Sequence, residues 1–111
     1  MMSALINILK KLNEFRDDRN WKQFHTAENL AKSICIEASE LLENYQWGDT
    51  PVDRENLKDE VADIFCYLLM FCQANEIDLI KETFKKIKKN QKKYPKDKVY
   101  GSSKKYNQYD F

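Results

Sequence analysis

The chain has 111 residues, which fits one domain, and its 33% charged residues with two Gly and two Pro favour long helices. The net charge of +1 conceals an asymmetry: residues 1–80 hold 8 Lys and Arg against 15 Asp and Glu, and residues 81–111 hold 11 Lys against 3 Asp and Glu. An acidic body with a basic segment suits a divalent cation beside a polyanion. Plain solvated helix faces explain most of the lysines equally well.

Composition excludes a membrane-spanning or disulfide-stapled class. The longest apolar run, residues 61–72, is interrupted by Asp63 and is shorter than the ~20 residues that span a bilayer. Cys35, Cys66 and Cys72 form no CxxC pair and lie in apolar stretches, where a reduced thiol behaves as a small buried hydrophobe. No signal peptide is visible. We therefore expect a soluble, cytoplasmic protein.

The first half of the chain predicts two helices. Apolar residues at three- and four-residue spacing indicate a first helix over residues 2–18. Thr26 can cap a second helix that runs to about Gln46. The sequence Trp47-Gly48-Asp49-Thr50-Pro51 then ends it, because glycine permits the turn and proline cannot continue the helix.

The second half predicts two more helices. Asp53 can cap a third helix that reaches about Asn75. Asp78 can cap a fourth, lysine-rich helix that Pro95 stops. The remaining residues, with Gly and Ser among lysines and tyrosines, indicate an extended or mobile tail.

We therefore predict an all-α domain over residues 1–95 and a basic, tyrosine-containing tail over residues 96–111. Between Val61 and Cys72, apolar side chains point in every direction around the third helix, which indicates burial on nearly all sides. A monomer of this size would struggle to cover that helix, so we expect a homo-oligomer.

Four acidic residues stand out: Glu37 and Glu40 on the second helix, and Glu60 and Asp63 on the third. Each pair is spaced by three residues and so shares a helix face. If the two helices form an antiparallel hairpin, both pairs lie roughly 10–15 Å from the turn and can converge. Crowded carboxylates must raise their pKa values or bind a cation. With only oxygen ligands, the cation would be a hard one such as Mg²⁺ or Mn²⁺.

The pattern Glu37-x-x-Glu40 followed by Glu60-x-x-Asp63 resembles the ExxE…ExxD signature of the MazG-like all-α nucleotide pyrophosphohydrolases. The segments RNWKQFHTAENL, ENYQW, EVADIFCY, KKIKKNQKKYP and SSKKY are similar to the dCTP pyrophosphatase subgroup in particular. The resemblance covers most of the chain, from about Leu12 to Tyr106.

The resemblance implies a four-helix bundle built around an antiparallel hairpin and an obligate dimer or dimer-of-dimers tetramer. It implies Mg²⁺-dependent hydrolysis between the α and β phosphates of a nucleoside triphosphate, dCTP or a modified dCTP. From the short apolar run and the acidic body, we expect neither a membrane nor a nucleic acid as a partner. The four acids would hold the metal and carry the catalysis, with Glu40 or Glu37 activating water. The residues implied at the substrate are His25, Trp47 and Tyr67, with Trp21 and Asn29 nearby, and Lys86, Asn90, Lys93 and Tyr94 at the phosphates.

The residues leave alternatives open. Trp47 could stack on a base or close the end of the core, and His25 could bind substrate or be structural. The basic C-terminal region, with Tyr94, Tyr100, Tyr106 and Tyr109, could instead serve a single-stranded nucleic-acid-binding module. A non-catalytic helical interaction protein is the remaining possibility.

Overall fold

The computed structural model describes residues 2–110, which form helices and turns and contain no strand. The helices are α1 (Met2–Asp18), α2 (Ala27–Glu43), α3 (Arg54–Ala74), α4 (Leu79–Lys93) and α5 (Lys96–Val99), with short 3₁₀ turns at Lys22–Phe24 and Tyr106–Gln108. The all-α prediction is confirmed. The chain divides into two compact units, which we call the N-terminal unit (Met1–Ile77) and the C-terminal unit (Asp78–Phe111).

Helix α1 spans the predicted residues and ends in a Schellman motif. Asn20 adopts a left-handed conformation with φ 55°, which asparagine tolerates better than most residues. Its N–H donates to the Asp17 carbonyl at 3.1 Å, and the Trp21 N–H donates to the Arg16 carbonyl at 3.0 Å, the two bonds of this motif. The Trp21 ring then meets the edge of Phe15, with 5.8 Å between ring centroids. The motif therefore fixes the direction in which Trp21 leaves the helix.

Helices α2 and α3 pack against each other as the predicted hairpin, and α1 packs on α3. Two predicted caps are confirmed: the Thr26 side chain accepts the Asn29 N–H at 3.2 Å, and Asp53 accepts the N–H groups of Glu55 and Asn56. These caps supply partners for N–H groups that the first helical turn leaves without one.

Helix α2 ends three residues earlier than predicted. Asn44 occupies the C-cap, where its N–H donates within the last turn to the carbonyls of Leu41 and Leu42. Its own carbonyl accepts the Val52 N–H at 3.0 Å. This bond draws the returning chain against the helix end and replaces the continued helix.

The buried apolar residues of the described chain lie on α2 and α3: Leu30, Leu69, Met70 and Cys72. Toward its start, α3 is more open, since Val61 is 53% and Phe65 39% exposed. The single chain therefore leaves part of α3 uncovered, because α1 and α2 cover only part of its circumference, and the predicted burial of α3 in an oligomer stays a prediction.

In the C-terminal unit, α4 begins at the predicted cap, with the Asp78 side chain accepting the Lys81 N–H at 3.2 Å. The segment predicted as an extended or mobile tail contains α5 and a 3₁₀ turn instead. Its fold is held by tyrosines: the Tyr94 hydroxyl accepts the Tyr106 N–H at 3.1 Å, and the Tyr94 and Tyr109 rings meet edge to face. Among the described residues, the helices are all too short or too polar to cross a bilayer.

Candidate active site

The hairpin brings carboxylates of both its helices together. One oxygen each from Glu37 on α2 and from Glu60 and Asp63 on α3 lie within 4.8 Å of one another. Glu60 is buried, Glu37 is half-buried and Asp63 is exposed. Because Glu60 and Asp63 are three residues apart on one helix, they share the face that meets α2. We call these three residues the carboxylate cluster.

The fourth predicted acid, Glu40, lies beside Glu37. The adjacent Glu60 carboxyl group, burial and then the adjacent Glu40 carboxyl group raise the pKa of Glu37 to about 8. A carboxyl group with so high a pKa keeps its proton at neutral pH unless a cation replaces it. The cluster is therefore electrostatically strained when all its members are ionised.

The cluster fits a hard dication. Oε2 of Glu37 and Oε2 of Glu60 are buried and, within the described chain, have no hydrogen-bond partner, so both offer free lone pairs. Oxygens bound to one Mg²⁺ at about 2.1 Å are at most about 4.2 Å apart, which small rotations of these side chains would reach. The all-oxygen donor set suits Mg²⁺ or Mn²⁺ better than a softer metal. The cluster could thus hold a metal ion.

Beside the cluster lies a cavity of about 250 Å³ in the N-terminal unit. Its lining is mainly aromatic and apolar and consists of Leu12, Phe15, Arg16, Trp21, His25, Asp63, Cys66, Tyr67 and Met70. Asp63 belongs to both the cavity wall and the carboxylate cluster. A flat apolar group placed in the cavity would therefore lie directly beside the carboxylates.

Besides Asp63, the side chains of Arg16, His25 and Tyr67 provide polar groups at this cavity. Burial, and then the charge of Arg16, lower the pKa of His25, and its Nδ1 is buried without a partner in the described chain. Burial, and then the charges of Glu37 and Asp63, raise the pKa of Tyr67, so its hydroxyl stays protonated. The Arg16 Nε donates to Asp17 at 2.9 Å. The cavity thus combines apolar walls with hydrogen-bonding groups, as ligand pockets do.

The structure brings Trp21, His25 and Tyr67 together at this cavity and places other residues that we expected at the substrate elsewhere. Trp47 is 84% exposed and lines a separate surface depression at the hairpin turn. The Asn29 side chain donates to the Phe24 carbonyl at 2.9 Å, so it holds the connection that carries His25. The exposure of Trp47 also contradicts the alternative that it closes the core.

The remaining predicted residues belong to the C-terminal unit. Lys86 and Asn90 lie on α4, and the Asn90 carbonyl accepts the Tyr94 N–H. The Lys93 ammonium lies 4.4 Å from the centroid of the Tyr106 ring. Lys93 and Tyr94 therefore both contact the C-terminal segment that follows them.

Sequence reasoning missed Arg16 and Cys66 as cavity residues. Arg16 follows Leu12 by four residues and so shares its helix face, a signal that was available. Its charge made it look like a solvated surface residue, whereas its side chain is only 14% exposed. For Cys66, burial followed by the Asp63 charge raises the pKa of the thiol, which keeps it a neutral wall group.

Fold and site together define a class of protein: an all-helical bundle that offers clustered carboxylates from a helical hairpin beside an aromatic cavity. The MazG-like family pattern matches residues 32–109, and the chain belongs to this family.

The chain is also similar to individual proteins of known name. The chain is 32% identical over 102 residues to human dCTP pyrophosphatase 1 and 33% to the mouse protein of that name, covering 84% of this chain and 60% of each relative. It thus spans about 60% of the length of these relatives. A solved structure of a pyrophosphatase from Archaeoglobus fulgidus is similar, with TM-score 0.75 and 40% identity over 83% of this chain and 93% of that one.

Proposed function

We propose that this protein is a Mg²⁺-dependent nucleoside triphosphate pyrophosphohydrolase that cleaves dCTP or a modified dCTP into the monophosphate and pyrophosphate. The observation that carries the proposal is the carboxylate cluster opening directly onto an aromatic cavity through Asp63. The names of the similar proteins, a dCTP pyrophosphatase and a pyrophosphatase, support the same activity.

The size of the cavity indicates which part of the substrate it would bind. A volume of about 250 Å³ is below the roughly 300–1,000 Å³ of pockets for drug-sized ligands, so it suits a base better than a whole nucleotide. The base would lie between the aromatic walls, with His25, Tyr67 and Arg16 available for hydrogen bonds. The triphosphate would extend past Asp63 toward the carboxylate cluster.

The four carboxylates would have two different roles, metal binding and activation of water. Glu37, Glu60 and Asp63 would hold the metal ion, Mg²⁺ or Mn²⁺, which supplies charge neutralisation for the polyphosphate. Glu40 lies beside Glu37 and is not one of the three clustered residues. It is therefore the better placed of the two glutamates to orient the attacking water and accept its proton. Phosphoryl transfer depends mainly on positioning and electrostatics, which this arrangement supplies.

The other substrate contacts belong to the proposal on the strength of the family resemblance. Trp47 and Asn29 would act near the nucleoside, and Lys86, Asn90, Lys93 and Tyr94 at the phosphates. We also propose self-association, as a dimer or a tetramer. The exposure of Val61 and Phe65 on α3 supports it.

The direct test is pyrophosphate release from a panel of canonical and base-modified nucleoside triphosphates, with Mg²⁺, with Mn²⁺ and with chelator. We expect release from dCTP or a modified dCTP only when metal is present. Asp63→Asn should lower kcat/KM by at least about 100-fold, because it removes a ligand charge at the reacting phosphates. Asp59→Asn, the same change on the same helix outside the cluster, is the matched control. Equal losses in both variants, or no release from any nucleotide, would refute the assignment.

A second test addresses the cavity. Trp21→Leu keeps an apolar contact for Phe15 but removes an aromatic surface, and base stacking is worth about 1–3 kcal/mol per base. We expect KM for the preferred nucleotide to rise about tenfold or more, with a smaller change in kcat. Phe24→Leu, an exposed aromatic in the same connection, should leave KM unchanged. An unaltered KM in Trp21→Leu would show that the base binds elsewhere.

A further inference from the structure

A chain of three hydrogen bonds leads from the hairpin turn to the carboxylate cluster. The Asp53 N–H donates to Oδ1 of Asn44 at 3.3 Å, and Nδ2 of Asn44 donates to Oδ1 of Asn56 at 3.0 Å. Nδ2 of Asn56 then donates to Oε1 of Glu60 at 3.4 Å. Asn44 is only 4% exposed, although it lies in a turn at the end of a helix. We call Asn44 and Asn56 the amide relay.

The relay has a defined direction. A backbone N–H can only donate, so the Asp53 N–H must meet the oxygen of the Asn44 amide. The Asn44 amide nitrogen therefore faces Asn56, whose oxygen must accept. This leaves the Asn56 nitrogen facing Glu60. Because each amide offers an acceptor at one side and donors at the other, the first bond fixes the orientation of both side chains.

The relay occupies one oxygen of Glu60 and spares the other. Oε1 accepts from Asn56, while Oε2 is buried and has no hydrogen-bond partner in the described chain. Glu60 belongs to the carboxylate cluster, where its ligand oxygen lies within 4.8 Å of those of Glu37 and Asp63. A carboxylate held in this way has one oxygen anchored and one available.

We propose that Asn44 and Asn56 are positioning residues that hold Glu60 by Oε1 so that Oε2 is presented to the metal ion. This inference rests on the metal site of the proposed function. A glutamate with three side-chain torsions loses rotamer freedom when it binds a metal, and the relay removes part of that freedom beforehand. Groups that hydrogen-bond to metal-binding carboxylates orient them and commonly change metal affinity about 10–100-fold when they are removed.

If Asn44 and Asn56 served only to hold the turn in place, fewer hydrogen bonds would be sufficient. The bond from Asp53 to Oδ1 of Asn44, together with the bond from Val52 to its carbonyl, already ties the turn to the end of α2. The Asn44 amide nitrogen extends that tie to Asn56 in the first turn of α3, and the Asn56 amide nitrogen extends it to Glu60. Their bonds lead away from the turn and end on the cluster.

The test measures Mn²⁺ binding to the full chain without nucleotide, following free Mn²⁺ by electron paramagnetic resonance. Asn56→Ala should raise the Mn²⁺ dissociation constant about tenfold. It should fold normally, because Asn56 is an exposed residue in the first turn of α3 and alanine is the best helix former. A melting curve of each variant separates lost affinity from lost stability.

Asn44→Asp provides a sharper variant. Its carboxylate still accepts the Asp53 N–H but cannot donate, so Asn56 must turn its nitrogen toward residue 44 and its oxygen toward Glu60. We expect weaker Mn²⁺ binding although the variant adds a negative charge near the cation. Asn75→Asp makes the same charge change at the C-cap of α3, where the side chain donates to the Phe71 carbonyl, and should bind Mn²⁺ as the unsubstituted chain does.

The outcomes separate the two proposals. If the unsubstituted chain binds Mn²⁺ and Asp63→Asn does not, the metal site is supported. Dissociation constants for Asn56→Ala and Asn44→Asp equal to or below that of the unsubstituted chain would then overturn the relay alone. Absence of Mn²⁺ binding by the unsubstituted chain would overturn both.

Discussion

The carboxyl group of Glu37 cannot stay ionised without a cation at neutral pH. The adjacent Glu60 carboxyl group, burial and the adjacent Glu40 carboxyl group raise its pKa to about 8. Filling the site therefore exchanges a proton for a metal ion, and metal affinity should increase with pH up to this value. The same shift has a consequence for stability in the absence of metal.

Metal-free protein should become less stable as pH rises from about 5 to about 8. The pKa of Glu37 rises from 4.5 to about 8 on folding, so the folded chain binds the proton more tightly, and its stabilising effect is lost as pH rises through that window. Glu37→Gln stays neutral throughout. We expect its melting temperature to exceed that of the unsubstituted chain by an amount that grows from pH 5 to pH 8 in chelator. Glu28→Gln, an exposed change at the start of the same helix, should melt in parallel with the unsubstituted chain.

If Glu37→Gln also melts in parallel with the unsubstituted chain, the carboxyl group has an ordinary pKa. Adding Mn²⁺ at pH 8 should reverse the order of the two proteins, because only the unsubstituted chain gains from binding it.

The convergence of the acidic residues could be predicted because the rise per residue of a helix sets the distance of each acid from the hairpin turn. Arg16 and Trp47 show the limit of that reasoning. The Arg16 side chain lines the cavity and is only 14% exposed, whereas Trp47 projects from the turn into solvent. Both orientations depend on contacts between elements, which local spacing does not contain.

The ends of α1 and α3 are built alike, with a Schellman motif at each. In α3 the Ile77 N–H donates to the Cys72 carbonyl at 2.8 Å and the Glu76 N–H to the Gln73 carbonyl at 3.3 Å. Glu76 takes the left-handed position with φ 54°, where glycine is usual. In α1 the same position is filled by Asn20, which suffers less strain. Helix α3 therefore stores strain at its C-terminal end.

Glu76→Gly should raise the free energy of unfolding by about 0.5–1 kcal/mol. Removing Cβ relieves about 1–2 kcal/mol of left-handed strain, and the greater freedom of glycine in the unfolded chain costs about 0.5–1 kcal/mol of that gain. Urea denaturation measures the difference. Glu76→Ala removes the same carboxylate but keeps Cβ, so it should give no such gain. A glycine variant no more stable than the alanine variant would exclude strain as the cause.

The capped helix starts were predicted correctly, and the end of α2 was not. Thr26, Asp53 and Asp78 each accept an N–H in the first turn, as their side chains and positions indicated. The end of α2 was placed too late because Asn44 binds residues that return from the far side of the turn. Helix propensity depends on near neighbours in the sequence and does not reflect a contact between residues nine positions apart. The prediction of an extended or mobile C-terminal segment failed for the same reason, since Tyr94 contacts Tyr106 and Tyr109, which are distant from it in sequence.

The single chain leaves large apolar side chains exposed on all three long helices of the N-terminal unit, including Ile6, Ile36, Val61 and Phe65. Apolar side chains that a single chain leaves exposed are available for burial against a partner. The expected partner is a second copy, which would cover the open side of α3 as the sequence analysis proposed.

Sedimentation over a range of concentrations tests this expectation. We expect a mass of two or four times the 13.3 kDa of the chain, and a shift toward the monomer in Phe65→Ser, because buried aromatic residues contribute most to interfaces. Phe24→Ser, an exposed aromatic outside the helices named above, should keep the assembled mass. A chain that sediments as a monomer at every concentration would refute the oligomer.

The ten residues between Glu43 and Arg54 form a largely exposed loop, a kind of segment that ordinarily tolerates insertions. Here its first and last residues, Asn44 and Asp53, are hydrogen-bonded to each other. An inserted residue would have to bulge outward between Asn44 and Asp53, or else it would separate these two residues and break that bond. The loop can therefore vary in composition at its tip much more freely than in length.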